Sequence, residues 1–292
     1  MRAGRFATLT FQREVAAPVA TLWQAWIAPA ARAVWSAPAP GVTVEYSAAD
    51  ARVGGIESSV CRIDGYPDVH VEGRWLELQP GVLSVNSEVV ASEGATESAA
   101  LVTAEFAETA GKSRISVTVQ LASLSQDMVA GYQHGFNGGL DNLVHVAERS
   151  MVISRVIRAP LAAVWAAWWD AESLPKWWGP DGFSCRTARI DLREGGEWVF
   201  DMIGPDGTVF PNHHRYGAVI PGARIDYALH WGENGPKHAD AWAMFAEAGG
   251  VTEVTLGMVF ATREEWQGAK GFGAEALGLQ TLGKLAMAAG AD

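Results

Sequence analysis

Two hydrophobic periodicities take turns along the chain, and the whole series occurs twice. From Phe6 to Val15 apolar and polar residues alternate, the period-two pattern of a strand with one buried face. Met151 to Ile157 repeats it. Ala-Pro follows each time, and proline suits the first helical turn, where its missing N–H has no partner to lose. Leu22, Trp23 and Trp26, then Val164, Trp165 and Trp168, recur at helical spacing. Second short helices end near Trp35 and Trp177. Period two then returns. Trp198, Phe200 and Met202 share one strand face, and a hairpin turn follows at Gly204-Pro205-Asp206-Gly207. Beyond it Phe210, Asn212, His214, Tyr216, Ala218 and Ile220 share a face, as do Ile225, Tyr227, Leu229 and Trp231. After the turn at Gly249-Gly250 come Thr252, Val254, Leu256, Met258 and Phe260. The first half answers with Val102, Ala104 and Phe106, then Ile115, Val117, Val119 and Leu121. Each half closes in a long helix, with Leu140, Leu143, Val144 and Ala147, or Leu279, Leu282, Leu285 and Ala286, along one face. Thr262 with Glu265, and Ser123 with Gln126, have capping-box spacing. Glycines interrupt both helices (Gly135, Gly138, Gly139; Gly268, Gly271, Gly273). Three readings stay open for them: a loop, close packing, or a flexible gate.

The two halves superpose. Ala17-Pro18 meets Ala159-Pro160 at an offset of 142, and Trp23, Trp26 and Trp35 fall on Trp165, Trp168 and Trp177. With one residue dropped, Gly54-Gly55 falls on Gly195-Gly196 and Pro80-Gly81 on Pro221-Gly222. Leu140 and Leu143 return onto Leu282 and Leu285. A single offset held by rare residues over this length marks a tandem duplication. It predicts domains at 1–148 and 149–292, with no flexible linker composition at the junction.

Composition narrows the partners. The 292 residues carry 22 basic and 33 acidic side chains, a net charge of −11. Both halves are acidic, at −7 and −4. Clustered Lys and Arg, which a nucleic-acid or anionic-membrane binder needs, are missing. No apolar run reaches the roughly 18–20 residues of a membrane span. The N-terminal stretch alternates like a strand and has no signal-peptide core. Cys61 and Cys185 stand far apart, so neither a disulfide framework nor a zinc site is expected, and the reducing cytoplasm is the expected compartment.

The candidate chemistry lies in the second half, which holds nine of the 13 tryptophans. Trp165, Trp168 and Trp177 read as structural. Trp178, Trp198, Phe200, Met202, Phe210, Asn212, His214, Tyr216, Tyr227, Trp231, Met258 and Phe260 read as either ordinary core or the lining of a cavity. Strand parity turns His214 and Asn212 inward. It turns His213, His230, Glu197, Asp201 and Asp226 outward. His213 and His214 therefore do not share a metal, and no metal or cofactor is expected. An inward imidazole could orient a carbonyl or serve as acid or base, and the hydroxyls of Tyr216 and Tyr227 could anchor a polar group. No nucleophile elbow, phosphate loop or dinucleotide fingerprint is present. Gly195-Gly196 precedes a strand, so it reads as a turn or bulge. At the positions of Asn212, His214 and Tyr216 the first half has Val71, Gly73 and Trp75.

Trp177 to Phe183 (WWGPDGF), Asp191-Leu192, Gly195-Gly196-Glu197-Trp198, Gly204 to Thr208 and the Gln280-Thr281-Leu282 helix together resemble the family named for the activator of heat-shock protein 90 ATPase. That family belongs to the SRPBCC, or START-like, superfamily. The likeness covers nearly all of the second half; the first half keeps the tryptophans and Gly54-Gly55 but has no WWGP string. The resemblance implies an α+β chain of two helix-grip (Bet-v-1-like) domains. In each, a curved antiparallel sheet wraps a long C-terminal helix around a hydrophobic cavity. Superfamily members include lipid carriers, hormone receptors, polyketide cyclases and oxygenase subunits. The expectation is a soluble protein that holds a small hydrophobic or aromatic ligand, mainly in the second domain. A cyclase- or hydrolase-type enzyme using His214 with Tyr216 or Tyr227 is one alternative, and a chaperone-associated interaction module is another. The tandem chain is expected as a pseudo-dimeric monomer or a homodimer.

Overall fold

The computed structural model describes residues 5–39, 41–109, 112–124 and 128–291. The chain divides into two compact units, residues 1–148 and 149–292. The first contains β1 (Arg5–Val15), α1 (Val19–Ile27), α2 (Pro29–Trp35), β2 (Val42–Ala49), β3 (Ile56–Ile63), β4 (Val69–Gln79), β5 (Leu83–Ser92), β6 (Ala95–Thr109), β7 (Lys112–Ser123) and α3 (Met128–Ala147). The second contains β8 (Ser150–Ile157), α4 (Leu161–Trp168), α5 (Leu174–Trp177), β9 (Ser184–Ile190), β10 (Glu197–Ile203), β11 (Val209–Ile220), β12 (Arg224–His230), β13 (Lys237–Ala248), β14 (Val251–Phe260), α6 (Arg263–Gly271) and α7 (Ala274–Ala288). Each unit is one antiparallel seven-stranded sheet, ordered β1-β7-β6-β5-β4-β3-β2 and β8-β14-β13-β12-β11-β10-β9. Strand, two short helices, six strands, long helix: this is the α+β helix-grip order that the repeat predicts.

The shared glycine pairs have a steric cause. Gly54 and Gly195 take φ of +82° and +73°, a region closed to most side chains. A Cβ on Gly55 would stand 2.0 Å from the Asp50 carbonyl oxygen, and one on Gly196 2.2 Å from that of Asp191. The reward is a pair of backbone hydrogen bonds in each unit. Gly54 N–H donates to Trp75 O and Trp75 N–H to Gly55 O; Gly195 and Tyr216 repeat the exchange through Gly196. That clamp fixes where Trp75 and Tyr216 enter the inner face.

The long helices differ. Helix α3 runs unbroken through Gly135, Gly138 and Gly139. The loop reading does not hold there. A Cβ on Gly138 would come within 2.5 Å of the Pro38 carbonyl oxygen, so close packing is the reason at that position. In the second unit the helix does break, between α6 and α7, where Gly273 takes φ +79°. Thr262 caps α6 by accepting from Glu265 N–H at 3.1 Å. Gln126, the other capping-box partner, lies outside the described residues. Pro18 and Pro160 occupy the N-cap itself, one position before the first helical turn. No described helix is long and apolar enough to cross a membrane.

Candidate functional site: the concave face of the second domain

Register places the predicted residues on one face. Across β10 and β11, Trp198 faces His214, Phe200 faces Asn212 and Met202 faces Phe210. Across β11 and β12, Tyr216 faces Tyr227 and His214 faces Leu229. Leu229 faces Ala239 and Tyr227 faces Ala241; beyond them stand Phe260 and Met258. Small residues on β13 leave room above its middle for the large rings on either side.

Six of the twelve residues form one continuous aromatic group. Trp198 stacks on Phe200 with centroids 3.7 Å apart. His214 meets Phe200, Trp178, Tyr227 and Trp198 at 5.0, 5.1, 5.2 and 5.4 Å. Tyr216 touches Tyr227 at 6.3 Å and Trp169 at 5.3 Å. Trp198, Phe200, His214, Tyr216 and Tyr227 are buried, as is Phe260; Trp178 is half-buried. Met202 and Met258 are half-buried along the margins. Phe210, Asn212 and Trp231 stand at the rim. Phe210 and Trp231 are 38% and 43% exposed, and Asn212 turns its amide onto the Phe210 carbonyl. Trp165, Trp168 and Trp177 do pack as structure: Trp168 contacts Trp177 and Phe245, Trp165 contacts Phe245, and the Trp177 indole donates to Ala167 O.

The polar groups inside this aromatic wall lack protein partners. No described residue hydrogen-bonds the His214 ring or the hydroxyls of Tyr216 and Tyr227. Burial holds His214 far below its usual range, at about 3, with His238 and His213 adding repulsion. The imidazole is therefore neutral at physiological pH. Burial pushes both tyrosines upward, Tyr216 further through Tyr227 and Tyr227 further through Asp226.

The signature loop is tied to the closing helix. Gln280 accepts from Asp181 N–H at 3.1 Å, and Lys284 Nζ donates to Phe183 O and Pro180 O at 3.2 and 3.4 Å. The WWGPDGF string thus sets Trp178 against the sheet and anchors α7 beside it. The outer face carries ions, as parity requires. Arg189 pairs with Glu197 and Glu233, Arg186 with Asp201, and Arg224 with Asp226. Arg189 first, then His213, hold Glu197 down at about 2. His213 and His230 lie side by side on that face. Among the described residues no group of three or more His, Cys, Asp or Glu is placed to hold a metal ion.

Simple alternation missed His238. The β12–β13 register slips between Leu229 and His230, and an extra residue in a bulge escapes strict alternation. His238 stacks on Trp231 at 4.1 Å and is near enough to His214 to oppose its protonation. Trp231 in turn donates to Glu265 on α6. Three neighbouring Gly and Pro residues (Gly232, Gly235, Pro236) were the available signal.

The fold and this face define a tandem helix-grip protein. The family model described as "Activator of Hsp90 ATPase homolog 1-like protein" matches twice, over residues 16–148 and 158–289. The chain belongs to that family. No curated protein matches the chain. Among solved structures, a Rhizobium loti protein is 26% identical, covers 49% of this chain and 97% of its own, and superposes with TM-score 0.44. A Rhizobium leguminosarum protein is 27% identical over 51% of this chain and 99% of its own, with TM-score 0.46. The di-domain ARO/CYC StfQ from the steffimycin biosynthetic pathway aligns over 97% of both chains at 15% identity, with TM-score 0.42.

Proposed function

We propose that this is a binding protein whose second domain holds a small, mainly aromatic ligand on its concave face. Trp178, Trp198, Phe200, Tyr216, Tyr227 and Phe260 form the wall, and Met202, Phe210, Asn212, Trp231 and Met258 form the margins. His214, Tyr216 and Tyr227 are the polar anchors. One observation carries the reading: three inward polar groups converge within an aromatic wall with no protein partner. Polar groups that receive no hydrogen bond from the protein are free to take one from a ligand or a water. Binding fits these groups better than proton transfer does. A general base works best with a pKa near the operating pH, and His214 is far below it. A neutral imidazole instead orients a ligand hydroxyl or carbonyl.

A titration with 2-naphthol, followed by tryptophan quenching and native mass spectrometry, tests this. Saturable one-to-one binding is expected, with about tenfold weaker affinity in Tyr227→Phe if one hydrogen bond is lost. Non-saturable quenching, or equal affinity in His214→Leu, Tyr216→Phe and Tyr227→Phe, overturns the proposal.

A further inference from the structure

The first domain reverses the usual placing of charge across a sheet. Its concave face holds ionisable residues. Arg32 projects from α2 and pairs with Glu57 Oε2 on β3 at 3.0 Å, and Tyr132 on α3 bonds both Glu88 and Ser98. Its convex face, turned to solvent, holds none over three rows of four neighbouring strands. Phe6, Ala122, Ala99 and Val89 form one row across β1, β7, β6 and β5. Thr8, Gln120, Leu101 and Ser87 form the next, and the third runs from Thr10 through Thr118 and Thr103 to Val85. Parity puts these rows outside, because Ala100 and Leu121, which alternate with them, are buried. The solvent side of such a sheet is ordinarily polar and charged. Here every position is uncharged, in a chain whose charged residues make up 19%.

The same face carries a knob and a socket. Phe6 stands 86% exposed, and Val89 and Leu124 are exposed as well. Beside Phe6, Ala99 and Ala122 leave a hollow of about 510 Å³, lined also by Leu101, Gln120 and Ser87. It is open to solvent and larger than a phenyl ring. Phe6 forms one wall of it and does not fill it. The far alanine, Ala99, lies two strand spacings from Phe6, about 10 Å away.

We propose that a second copy of this chain docks here, convex face to convex face across a twofold axis, with Phe6 of each copy seated in the Ala99–Ala122 hollow of the other. A twofold interface uses the same patch on both sides, so the patch must complement itself. Knob and socket lie within one patch and meet that condition. Charge selects the same partner. Each chain carries −11, with −7 in its first half, so two copies repel wherever their charged surfaces meet. Like charges set opposite each other across an interface cost affinity. The uncharged face lets two copies meet without that cost, and it offers a basic or acidic partner no ion to pair with. Sheets packed face to face stand about 10 Å apart, a gap that facing Thr, Leu and Val side chains fill together. The three rows are smaller than the about 800 Å² per partner of a standard interface. The dimer is therefore weak and concentration-dependent.

Sedimentation equilibrium of the full-length protein, without ligand, reads the association between about 10 µM and about 1 mM. A monomer–dimer equilibrium is expected. Phe6→Asp and Ala99→Asp each place a charge in the interface twice, and each should weaken the dimer about tenfold or more. Val156→Asp adds the same charge at an exposed strand position of the second domain and should leave the dimer unchanged. Phe6 and Ala99 are exposed in the single chain, so thermal melts of both variants in dilute solution should match wild type. If one of them does not fold, the other decides. A wild-type chain that stays monomeric overturns the proposal, as does a dimer that survives both first-domain substitutions. Equal weakening by Val156→Asp overturns it too, because net charge alone would then govern association. So does association that runs past the dimer, the mark of a head-to-tail contact that does not close. No readout involves the concave face of the second domain, so the outcome is independent of 2-naphthol binding there.

Discussion

The two domains share a frame and differ at the centre of it. Trp198, His214 and Leu229 form a row across three strands of the second sheet. Glu57, Gly73 and Glu88 form the equivalent row of the first. Leu174 in the second domain stands where Arg32 stands in the first, at the repeat offset of 142. The glycine clamp and the strand order are kept in both, as is the pair of helix tryptophans, stacked in the first domain (Trp26 on Trp35) and edge-on in the second (Trp168 on Trp177). The helix-grip frame therefore tolerates opposite interiors: an aromatic one around a neutral imidazole, and a charged one around a carboxylate-paired guanidinium. The frame is set by clamp and packing, and the chemistry of the interior by three strand positions and one helix position.

The sharpest way to break the contrast is to give the first domain the second domain's helix residue. Arg32→Leu leaves Glu57 buried without its partner, and breaking a buried pair costs about 3–5 kcal/mol. Replacing both partners, Arg32→Leu with Glu57→Leu, should return most of that loss, because two apolar groups leave no orphaned charge. Urea unfolding of the full chain, with hydrogen exchange on β3 to β5, reads both. A cost below about 1 kcal/mol for the single variant would mean that solvent reaches the pair and that the two interiors are less different than their residues.

Acidity should act on the two domains with opposite sign. His214 is held at about 3 when folded, against 6.5 for the free group. The unfolded chain then binds the proton first, so the second domain loses stability as pH falls from about 6.5 towards 3. The full effect amounts to a few kcal/mol, at about 1.36 kcal/mol per pH unit of that window. Glu88 is raised, mainly by burial. Its folded form keeps a proton that the unfolded chain gives up, so this contribution is present at low pH and lost as pH rises through the usual carboxylate range and above. His214→Leu should flatten the acid limb in β10 to β12 exchange, and Glu88→Gln should flatten the opposite trend in β4 to β6. The same sign in both domains would refute the assignment.

Tyrosine hydroxyls give a smaller contrast. Tyr132 bonds Glu88 and Ser98, so Tyr132→Phe should cost about 1–3 kcal/mol for a hydrogen bond to an ionisable group. Tyr216→Phe and Tyr227→Phe remove hydroxyls with no protein partner. They should leave stability within about 0.5 kcal/mol while weakening 2-naphthol. A thermal melt of each variant separates stability from binding.

What was legible in the sequence was whatever repeats or alternates. Gly54-Gly55 and Gly195-Gly196 encode the clamp, Pro18 and Pro160 the helix starts, and period two placed His214 inward and His213 outward. Two kinds of information were not legible. Bulges shift parity, and His238 sits beyond one. Interstrand register decides which residues become neighbours: Gly73 was visible as the counterpart of His214, but Glu57 and Glu88 become its flanks only once three strands are paired. Arg32 in the otherwise apolar PAARAVW segment was the one sequence hint of the charged interior, and it is read as such only when Glu57 is known to face it.

The smallest test concerns the long helices. At Gly135, in unbroken α3, a Cβ would meet nothing within 4 Å. Gly135→Ala should therefore stabilise the first domain by about 0.5–1 kcal/mol, the propensity difference in a helix interior. Gly273, between α6 and α7, is equally open but has φ +79°. Gly273→Ala should destabilise by about 1–2 kcal/mol through left-handed strain. The same substitution in the two helices thus changes sign with backbone conformation alone. Because α6 carries Glu265, which holds the rim residue Trp231, strain at Gly273 should also alter how fast 2-naphthol binds the second domain. Stopped-flow quenching would detect this; an unchanged on-rate would make the helix break a packing feature with no part in ligand access.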